Sequence, residues 1–577
     1  MASKSGEIPE EMEKLWHSTS HILSSAVKEL FPEAKLGIGP PIKNGFYYDF
    51  DVKEPFTPED LAKIEKKMKE IIARDEKFER KEISKKEALS LFKNEPYKLE
   101  LIKDLGDEKL SIYSNGKFTD LCKGPHLKSA GEIKAFKLLK TAGAYWRGSE
   151  QRPMLQRIYG VSFGDKKKLE EHLRKLEEMG ERNHIKLGKE LDLFSVHPEA
   201  PGFPFIHGKG MVLWREMERL WEEEHKKLGY EIVQTPMILR KELWEQSGHW
   251  DHYREHMYFV EIDDNDFAVK PMNCPGGILV FKEKRHSYRD LPIKMAELGT
   301  VHRHEKSGVL MGLFRVRKFT QDDAHVYCTE EQLKEQIIEI IELTIRLYRK
   351  FGFGEFKIEI STRPEKAMGS AKVWEQATGA LKNALEDLKL EYSVNEGAGA
   401  FYGPKIDFHI KDSLEREWQC ATIQVDFSMP EKFDLYYISK EDKKKRPVMV
   451  HRAILGSFER FMGILIEHYG GAFPLWLSPV QVKVLGVADR HLGYARKTER
   501  QIFDAGIRTE FDESRESVGK KVREAAKEKV PFIVVVGDEE EKKGTLTVRD
   551  RNGKLEKNVK VSEFIETLKK SIENREN

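Results

Sequence analysis

A chain of 577 residues is too long for one hydrophobic core; at roughly 150 residues per domain it should hold about four domains, or three with one large. With 39% hydrophobic and 34% charged residues and no apolar run near the ~18 needed to cross a bilayer, it reads as a multidomain globular protein outside the membrane. A net charge of +1 supplies no global field for nucleic acid, and four scattered cysteines exclude a disulfide framework and point to a reducing, cytoplasmic setting.

The stretch Met1–Glu13 is polar and acidic, without the apolar core of a signal peptide. Pro9 opens an amphipathic helix to about Leu30, with Leu15, Ile22, Ala26 and Leu30 at helical spacing. Residues 37–50 read as a glycine-rich, aromatic strand or loop, and 59–104 as charged helical patterns. The first domain closes near Gly164, giving 1–165, and 166–186 reads as an exposed linker helix. A second domain, 187–478, opens with the Pro/Gly-rich run Pro198–Pro204 and a helix from Met211 to Leu228, stopped by Gly229. Strands follow near 230–233, 293–305, 314–327, 355–361 and 417–428, with a long helix at 330–350. Without strict β-α alternation, this is an antiparallel-rich α+β pattern. From 479 to 577 the pattern becomes strand 480–487, helix 492–505, strand 507–511, helix 516–528 and strand 532–536, a small α/β domain. The basic runs Lys443–Arg446 and Lys520–Lys521 are phosphate contacts or, more blandly, solvated surface.

The segment Ala296–Cys328 carries the densest chemistry. Two strand-like stretches flank the turn Lys306-Ser307-Gly308-Val309. Alternation puts Arg303 and Glu305 on one face of the first, and Arg315, Arg317, Phe319, Gln321, Asp323 and His325 on one face of the second. Such a face in a core costs several kcal/mol per unpaired ion. It suits a polyanion floor, with arginine for phosphates, glutamate for a base amino group and phenylalanine for stacking; the bland alternative is a salt-bridged solvent face.

Arg303-His304-Glu305 followed by Arg315-x-x-x-Phe319 resembles motif 2 of the class II aminoacyl-tRNA synthetases. Leu455-Gly456-Ser457-Phe458-Glu459-Arg460 resembles motif 3, and the helix and strand ending at Pro236 resemble motif 1. The runs Pro271–Gly276, Phe319–His325 and His451–Ser457 look like those of the threonyl-tRNA synthetases, a likeness covering essentially the whole chain. By spacing alone, Cys274, His325 and His451 are as readily an ordinary buried cysteine and histidines. The resemblance implies that they hold one zinc ion per subunit, with an open position for a substrate. Threonine and valine are nearly isosteric, so an apolar pocket cannot separate them, whereas a metal that needs the hydroxyl as ligand can. The resemblance further implies that Gln321, Asp323 and Tyr402 fix threonine, and that Arg303 binds the α-phosphate of ATP. The same resemblance implies that Glu305 reads the adenine amino group, that Arg315 meets the γ-phosphate, that Phe319 and Arg460 sandwich the base, and that Mg2+ accompanies the pyrophosphate. It further implies that His249 assists transfer to tRNA(Thr), although a lone histidine beside Trp250 is as readily structural, and the likeness to motif 1 implies a homodimer.

Serine carries the same hydroxyl and lacks one methyl, worth roughly 1–3 kcal/mol, so a second, hydrolytic sieve is expected. His17-x-x-x-His21 places two imidazoles one helical turn apart, and Cys122-x-x-x-His126 follows. On chemistry alone three histidines and a cysteine read as a structural zinc site. The resemblance implies instead a metal-free pocket that deacylates seryl-tRNA, with Lys98, Asp120 and Tyr48 nearby. It also implies that residues from 479 bind the anticodon, with Glu540 and Arg549 reading bases. Three departures stand out: Arg515 where asparagine is expected, Gly277 where the family generally has histidine, and a start directly at the editing domain without the usual ubiquitin-like one. A stand-alone editing hydrolase, or an RNA-binding paralogue without catalysis, has no need of Arg303, Arg460 and the Cys-His-His set together. A prolyl or seryl enzyme has no need of that set at all.

Overall fold

The helix Glu10–Leu30 places Glu10, Glu11 and Glu13 in its first turn, where carboxylates favour the helix dipole. It buries Leu15, Ile22, Leu23, Ala26 and Val27 against Phe46, Tyr48 and Phe50 of the strand Gly45–Asp51. The computed structural model describes residues 8–106 and 109–577, so part of the Met1–Glu13 reading, residues 1–7, lies outside the described residues. The helix is not one-faced as its spacing predicts: Ser18, Thr19, Ser20 and Ser24 are fully buried too. Thr19 and Ser24 satisfy their hydroxyls within the helix, Thr19 donating to the Leu15 carbonyl at 2.7 Å and Ser24 to the His21 carbonyl at 2.9 Å.

The chain divides into two units, one ending at Glu178 and one running from Met179 to Asn577. In the first, Gly45–Asp51, Met154–Phe163 and Ala135–Tyr145 pair antiparallel, in that order, beside the short strand Lys35–Leu36. A second sheet orders Phe78–Ser84, Lys109–Asn115 and Phe118–Leu121. The strand Phe78–Ser84 corrects the helical reading of 59–104, which otherwise resolves into helices Pro58–Ala73, Lys85–Leu91 and Pro96–Asp104. Its charged residues lie on both faces and only Ile83 is buried, so local pattern cannot reveal it; the unbroken ladder to Lys109–Asn115 makes it a strand. Thr57 opens the preceding helix with a reciprocal capping box to Asp60. The linker reading becomes a helix Lys166–Glu181 in which only Leu169 is buried, followed by a second helix, His184–Glu190, capped by Asn183.

The second unit is built on an eight-stranded sheet, in the order Glu231–Ile232, Ile293–His302, Lys318–Cys328, Val448–Ser457, Glu417–Asp426, Lys405–Lys411, Phe356–Ser361 and Ser393–Asn395. All inner pairings are antiparallel and only the two edge strands run parallel to their neighbours, in agreement with the α+β class II reading. The helix Leu333–Lys350 buries Leu333, Ile337, Ile340, Ile341, Thr344 and Leu347, the spacing of one helical face. Gly229, at φ +74°, ends the helix Gly208–Lys227 with the left-handed turn that glycine adopts without strain.

The carboxy-terminal sheet orders Thr509–Asp512, Val482–Gly486, Phe532–Val536, Thr545–Asp550 and Leu555–Lys560. Its first three strands are parallel, as the α/β reading requires, and the last two form an antiparallel meander that the sequence reading did not resolve. Among the described residues no helix is long and apolar enough to cross a membrane.

Candidate functional site

Strand alternation builds a cavity of about 710 Å³ over the middle of the large sheet. On Lys318–Cys328, the residues Phe319, Gln321 and Asp323 line it, while Ala324 and Val326 join the core behind. The expected strands 293–305 and 314–327 are shorter, because the chains separate after the bond from the Arg303 amide to the Arg317 carbonyl, 2.9 Å. Arg303, Glu305 and Arg315 therefore reach the cavity from a loop rather than a ladder. Arg317 departs from the expected common face: it donates to the Glu305 carbonyl at 2.9 Å and the Pro201 carbonyl at 3.1 Å, and braces the loop from outside. Arg303 lies 4.9 Å from the Phe319 ring centre, and Glu305 accepts a 3.1 Å hydrogen bond from Arg315. Arg460 also lines the cavity, with its buried Nε unpaired. Its helix, Phe458–Tyr469, is fastened to the strand by Glu459, which accepts from the Thr320 amide at 2.7 Å.

At the deeper end, donor atoms of Cys274, His325 and His451 lie within 4.8 Å of one another, all on buried residues. Cys274 begins the helix Cys274–Lys282, and His325 and His451 are direct cross-strand partners. Asp426 accepts from His451 Nε2 at 2.9 Å, leaving its Nδ1 free to bind a metal. His325 Nε2 is buried with no hydrogen-bond partner, an unpaired donor-acceptor that a metal would satisfy. Burial, with the Asp323 and Asp426 carboxylates, drives the Cys274 thiol far up. Burial, with His451 and Arg452, holds His325 far below the ordinary imidazole range. A soft thiolate and two imidazoles are a zinc-type donor set, and a divalent cation reverses the cost of ionising the thiol. Asp323, pushed up by burial to about 6, accepts from Asn273 at 3.1 Å. Gly277 backs this site: a Cβ there would meet His325 Nδ1 at 3.5 Å, ordinary contact, so the departure leaves space rather than strain.

Tyr402 lines the cavity and donates to Gln424. Gln419, Thr422 and Gln424, absent from the sequence reading, also line it. Their signal was available: glutamines at 419 and 424 interrupt a strand otherwise filled by Cys420, Ala421, Ile423 and Val425. His249 is not on the wall; it is fully buried, between Ser247 Oγ at 2.7 Å and Met272 Sδ at 3.0 Å.

The first unit brings together His17, His21, Cys122 and His126, again with donor atoms within 4.8 Å. Cys122 Sγ lies 3.2 Å from both His17 Nε2 and His126 Nε2 and receives the Gly124 amide at 3.2 Å. Ser18 contacts His126 Nδ1 at 3.2 Å and accepts the Leu127 amide at 2.8 Å, a role the sequence reading missed within His17–His21. Asp120 is fully engaged: Lys98 at 2.6 Å, the Tyr48 hydroxyl at 2.6 Å and the Leu121 amide at 2.8 Å. Burial lowers His17, His21 and His126 and raises the Cys122 thiol to about 12, so at neutral pH the cluster holds no charge of its own.

In the carboxy-terminal sheet Arg549 is exposed, whereas both Glu540 oxygens are occupied, by the Gly537 amide at 2.9 Å and the Thr547 hydroxyl at 2.7 Å. Arg515 is exposed. In the basic run 443–446, Arg446 pairs with Glu431 at 3.2 Å and Lys445 with Glu441 at 3.7 Å.

Comparison with known proteins adds three family matches: the tRNA synthetase class II core domain (G, H, P, S and T) over residues 258–469, the anticodon binding domain over 480–571, and the threonyl and alanyl tRNA synthetase second additional domain over 110–159. The threonine–tRNA ligase of Acetivibrio thermocellus is 55% identical over 564 residues, 97% of this chain and 89% of that protein. That of Carboxydothermus hydrogenoformans is 57% identical over 556 residues, 96% of this chain and 87% of that one. Among solved structures, the RNA binding domain of threonyl-tRNA synthetase from Cryptosporidium parvum Iowa II superposes with a TM-score of 0.65 at 37% identity, covering 67% of this chain and 98% of that one.

Proposed function

The chain belongs to the threonine–tRNA ligase family, and from that premise we infer that its large cavity seats L-threonine and ATP side by side, next to a zinc ion carried by Cys274, His325 and His451. It is a class II aminoacyl-tRNA synthetase that charges tRNA with threonine and carries an editing domain. The observation that carries the detailed reading is the convergence of a buried Cys-His-His set and an arginine-lined floor in one cavity. When bound, zinc would be held by Cys274, His325 and His451 and would supply Lewis-acid ligation for the amino and hydroxyl groups of threonine. Asp323 accepts the threonine hydroxyl proton in a hydrogen bond, while Gln321 and Tyr402 hold the amino acid. Arg303 steadies the α-phosphate as the threonine carboxylate attacks it and the bond to the β-phosphate breaks, releasing pyrophosphate and leaving threonyl-adenylate; Arg315 holds the γ-phosphate of the ATP, which enters with Mg2+. Phe319 and Arg460 sandwich adenine and Glu305 takes its amino group. The protein's contribution is position and fixed charge. His249 stands behind the wall, against Met272 and Phe401, which line the cavity.

The first unit, within 1–165, clears seryl-tRNA(Thr) at the His17–His21–Cys122–His126 cluster; 166–186 links it to a catalytic domain over 187–478. In 479–577 the exposed Arg549 reads anticodon bases, Glu540 being occupied internally. The four cysteines are all free and buried, in keeping with a cytosolic enzyme. Pyrophosphate exchange with ATP tests the cavity: threonine should drive it, serine about 10–200-fold less efficiently, and valine scarcely at all. Exchange driven equally by valine defeats the reading.

Motif 1 supplies a surface for a second copy. Ile232, on the sheet's edge strand, is 50% exposed, and Met237 and Ile238 beyond it are 46% and 44% exposed. Sedimentation should give twice the chain mass at micromolar concentration, and a Met237→Asp, Ile238→Asp double variant should sediment as one chain. A monomeric parent overturns the assignment.

A further inference from the structure

Asp322 and Asp323 are neighbours on one strand and so point to opposite faces. Asp323 faces the cavity, whereas Asp322 lies on the side of Ala324 and Val326 and is fully buried. Across from it the ladder between Lys318–Cys328 and Val448–Ser457 breaks register. Gln321 pairs with Ser457 and Asp323 with Ala453, so one residue, Asp322, faces three, Ile454, Leu455 and Gly456. Such a bulge leaves backbone amides without ladder partners, and in a core they require other acceptors. The Asp322 carboxylate is that acceptor: Oδ2 takes the amides of Ile454 and Leu455, and Oδ1 that of Gly456, each at 2.9 Å.

The bulge separates two halves of the cavity. Before it stand His451, of the metal set, and Ala453; after it come Ser457 and Arg460, whose amide bonds Ser457 Oγ at 3.1 Å. Glu459 pins the helix after the bulge to Thr320, and Arg452 donates to the Asp322 carbonyl at 3.2 Å. The length of chain between those fastenings, and hence where Arg460 stands relative to His451, depends on three amides being gathered by one carboxylate. Gly456, at φ +80° and with space for a Cβ limited by the Cys420 carbonyl at 3.0 Å, completes the bulge.

We propose that Asp322 is the positioning residue that holds the adenine-binding half of the cavity, through Arg460, in register with the metal and amino-acid half. The proposal rests on the reading of this cavity as the threonine and ATP site. Asparagine at 322 keeps the shape but sets an NH2 group against at least one backbone N–H, whichever way the amide is turned.

The test is threonine-dependent ATP–pyrophosphate exchange by the full chain, with Asp322→Asn, Gly456→Ala, Arg460→Ala and the Asp322→Asn, Arg460→Ala double variant. In Asp322→Asn the KM for ATP should rise about tenfold to a hundredfold, the scale for a displaced binding group, while the KM for threonine changes less than about twofold and zinc content stays at the parental value. Gly456→Ala, which strains the bulge with Asp322 intact, should give the same split and keeps the question answerable where Asp322→Asn yields no folded protein. The double variant should match Arg460→Ala alone. Unchanged ATP KM, equal losses for both substrates with zinc lost, or additive effects in the double variant each overturn the proposal. A parent chain that shows no threonine-dependent exchange overturns the reading of the cavity instead.

Discussion

In the His325→Ala variant, threonine-dependent pyrophosphate exchange is expected to fall by about 10³-fold or more, with zinc no longer retained through dialysis. The expectation comes from the burial of three donor groups that have little use for one another. His325 Nε2 has no hydrogen-bond partner and Cys274 carries a thiol that burial keeps protonated. An unsatisfied polar group of this kind costs about 1–3 kcal/mol, which is hard to account for unless something fills the space. Removing the imidazole leaves two donors and relieves that cost. The variant should therefore be no less stable than metal-stripped parent protein while being far less active. That pairing separates a metal ligand from a histidine kept for packing, whose loss would lower stability in both forms. Stoichiometric zinc in His325→Ala, with activity within about tenfold of the parent, would refute the assignment. Valine offers a control: if the hydroxyl is recognised by ligation, losing the ligand set erodes the preference for threonine over valine along with the rate.

Much of this site was legible because alternation and helical spacing are local properties. The face shared by Phe319, Gln321 and Asp323 follows from a two-residue period, and one apolar face marks the helix Leu333–Lys350. What escaped was set by distant residues. The hairpin strands stop early because Arg317 bonds the Gly202 carbonyl and Leu313 bonds His184 Nε2, each at or under 3.0 Å, contacts that no window around the hairpin contains. Phe78–Ser84 is a strand only by its ladder to Lys109–Asn115. Alternation also sends Asp322 to the other face, the side of Ala324 and Val326; what it hides is the bulge that brings three amides to Asp322, because they belong to the distant strand Val448–Ser457. His249, given a role by the resemblance alone, is held inside by Ser247 and Met272, partners that no helical or strand period marks.

Replacing His17 and His21 together by alanine should slow hydrolysis of seryl-tRNA(Thr) by about 10²-fold or more, the usual contribution of positioned acid–base groups, while threonine-dependent exchange persists. These two imidazoles, with that of His126, are packed at ring distances of 5.3, 4.3 and 4.3 Å. Burial depresses all three, with His17 partly restored by Asp120. The Cys122 thiol, raised to about 12, is not an available nucleophile at neutral pH. Asp120 is committed to Lys98 and Tyr48. What remains is a set of neutral imidazoles able to bind a water and take its proton as it attacks the ester. A lowered imidazole loses its proton at lower pH, so the base form persists below the ordinary histidine value. Hydrolysis should thus be flat across neutrality and decline only at pH values below the ordinary histidine range. A thiolate mechanism predicts instead a rate that keeps climbing through the alkaline range, since this thiol is raised to about 12, and that Cys122→Ser abolishes. Stripping zinc with a chelator should stop exchange and spare hydrolysis, because the first cluster already satisfies its sulfur with His17, His126 and the Gly124 amide. Unaltered clearance of seryl-tRNA by the double alanine variant would remove the cluster from the editing reaction.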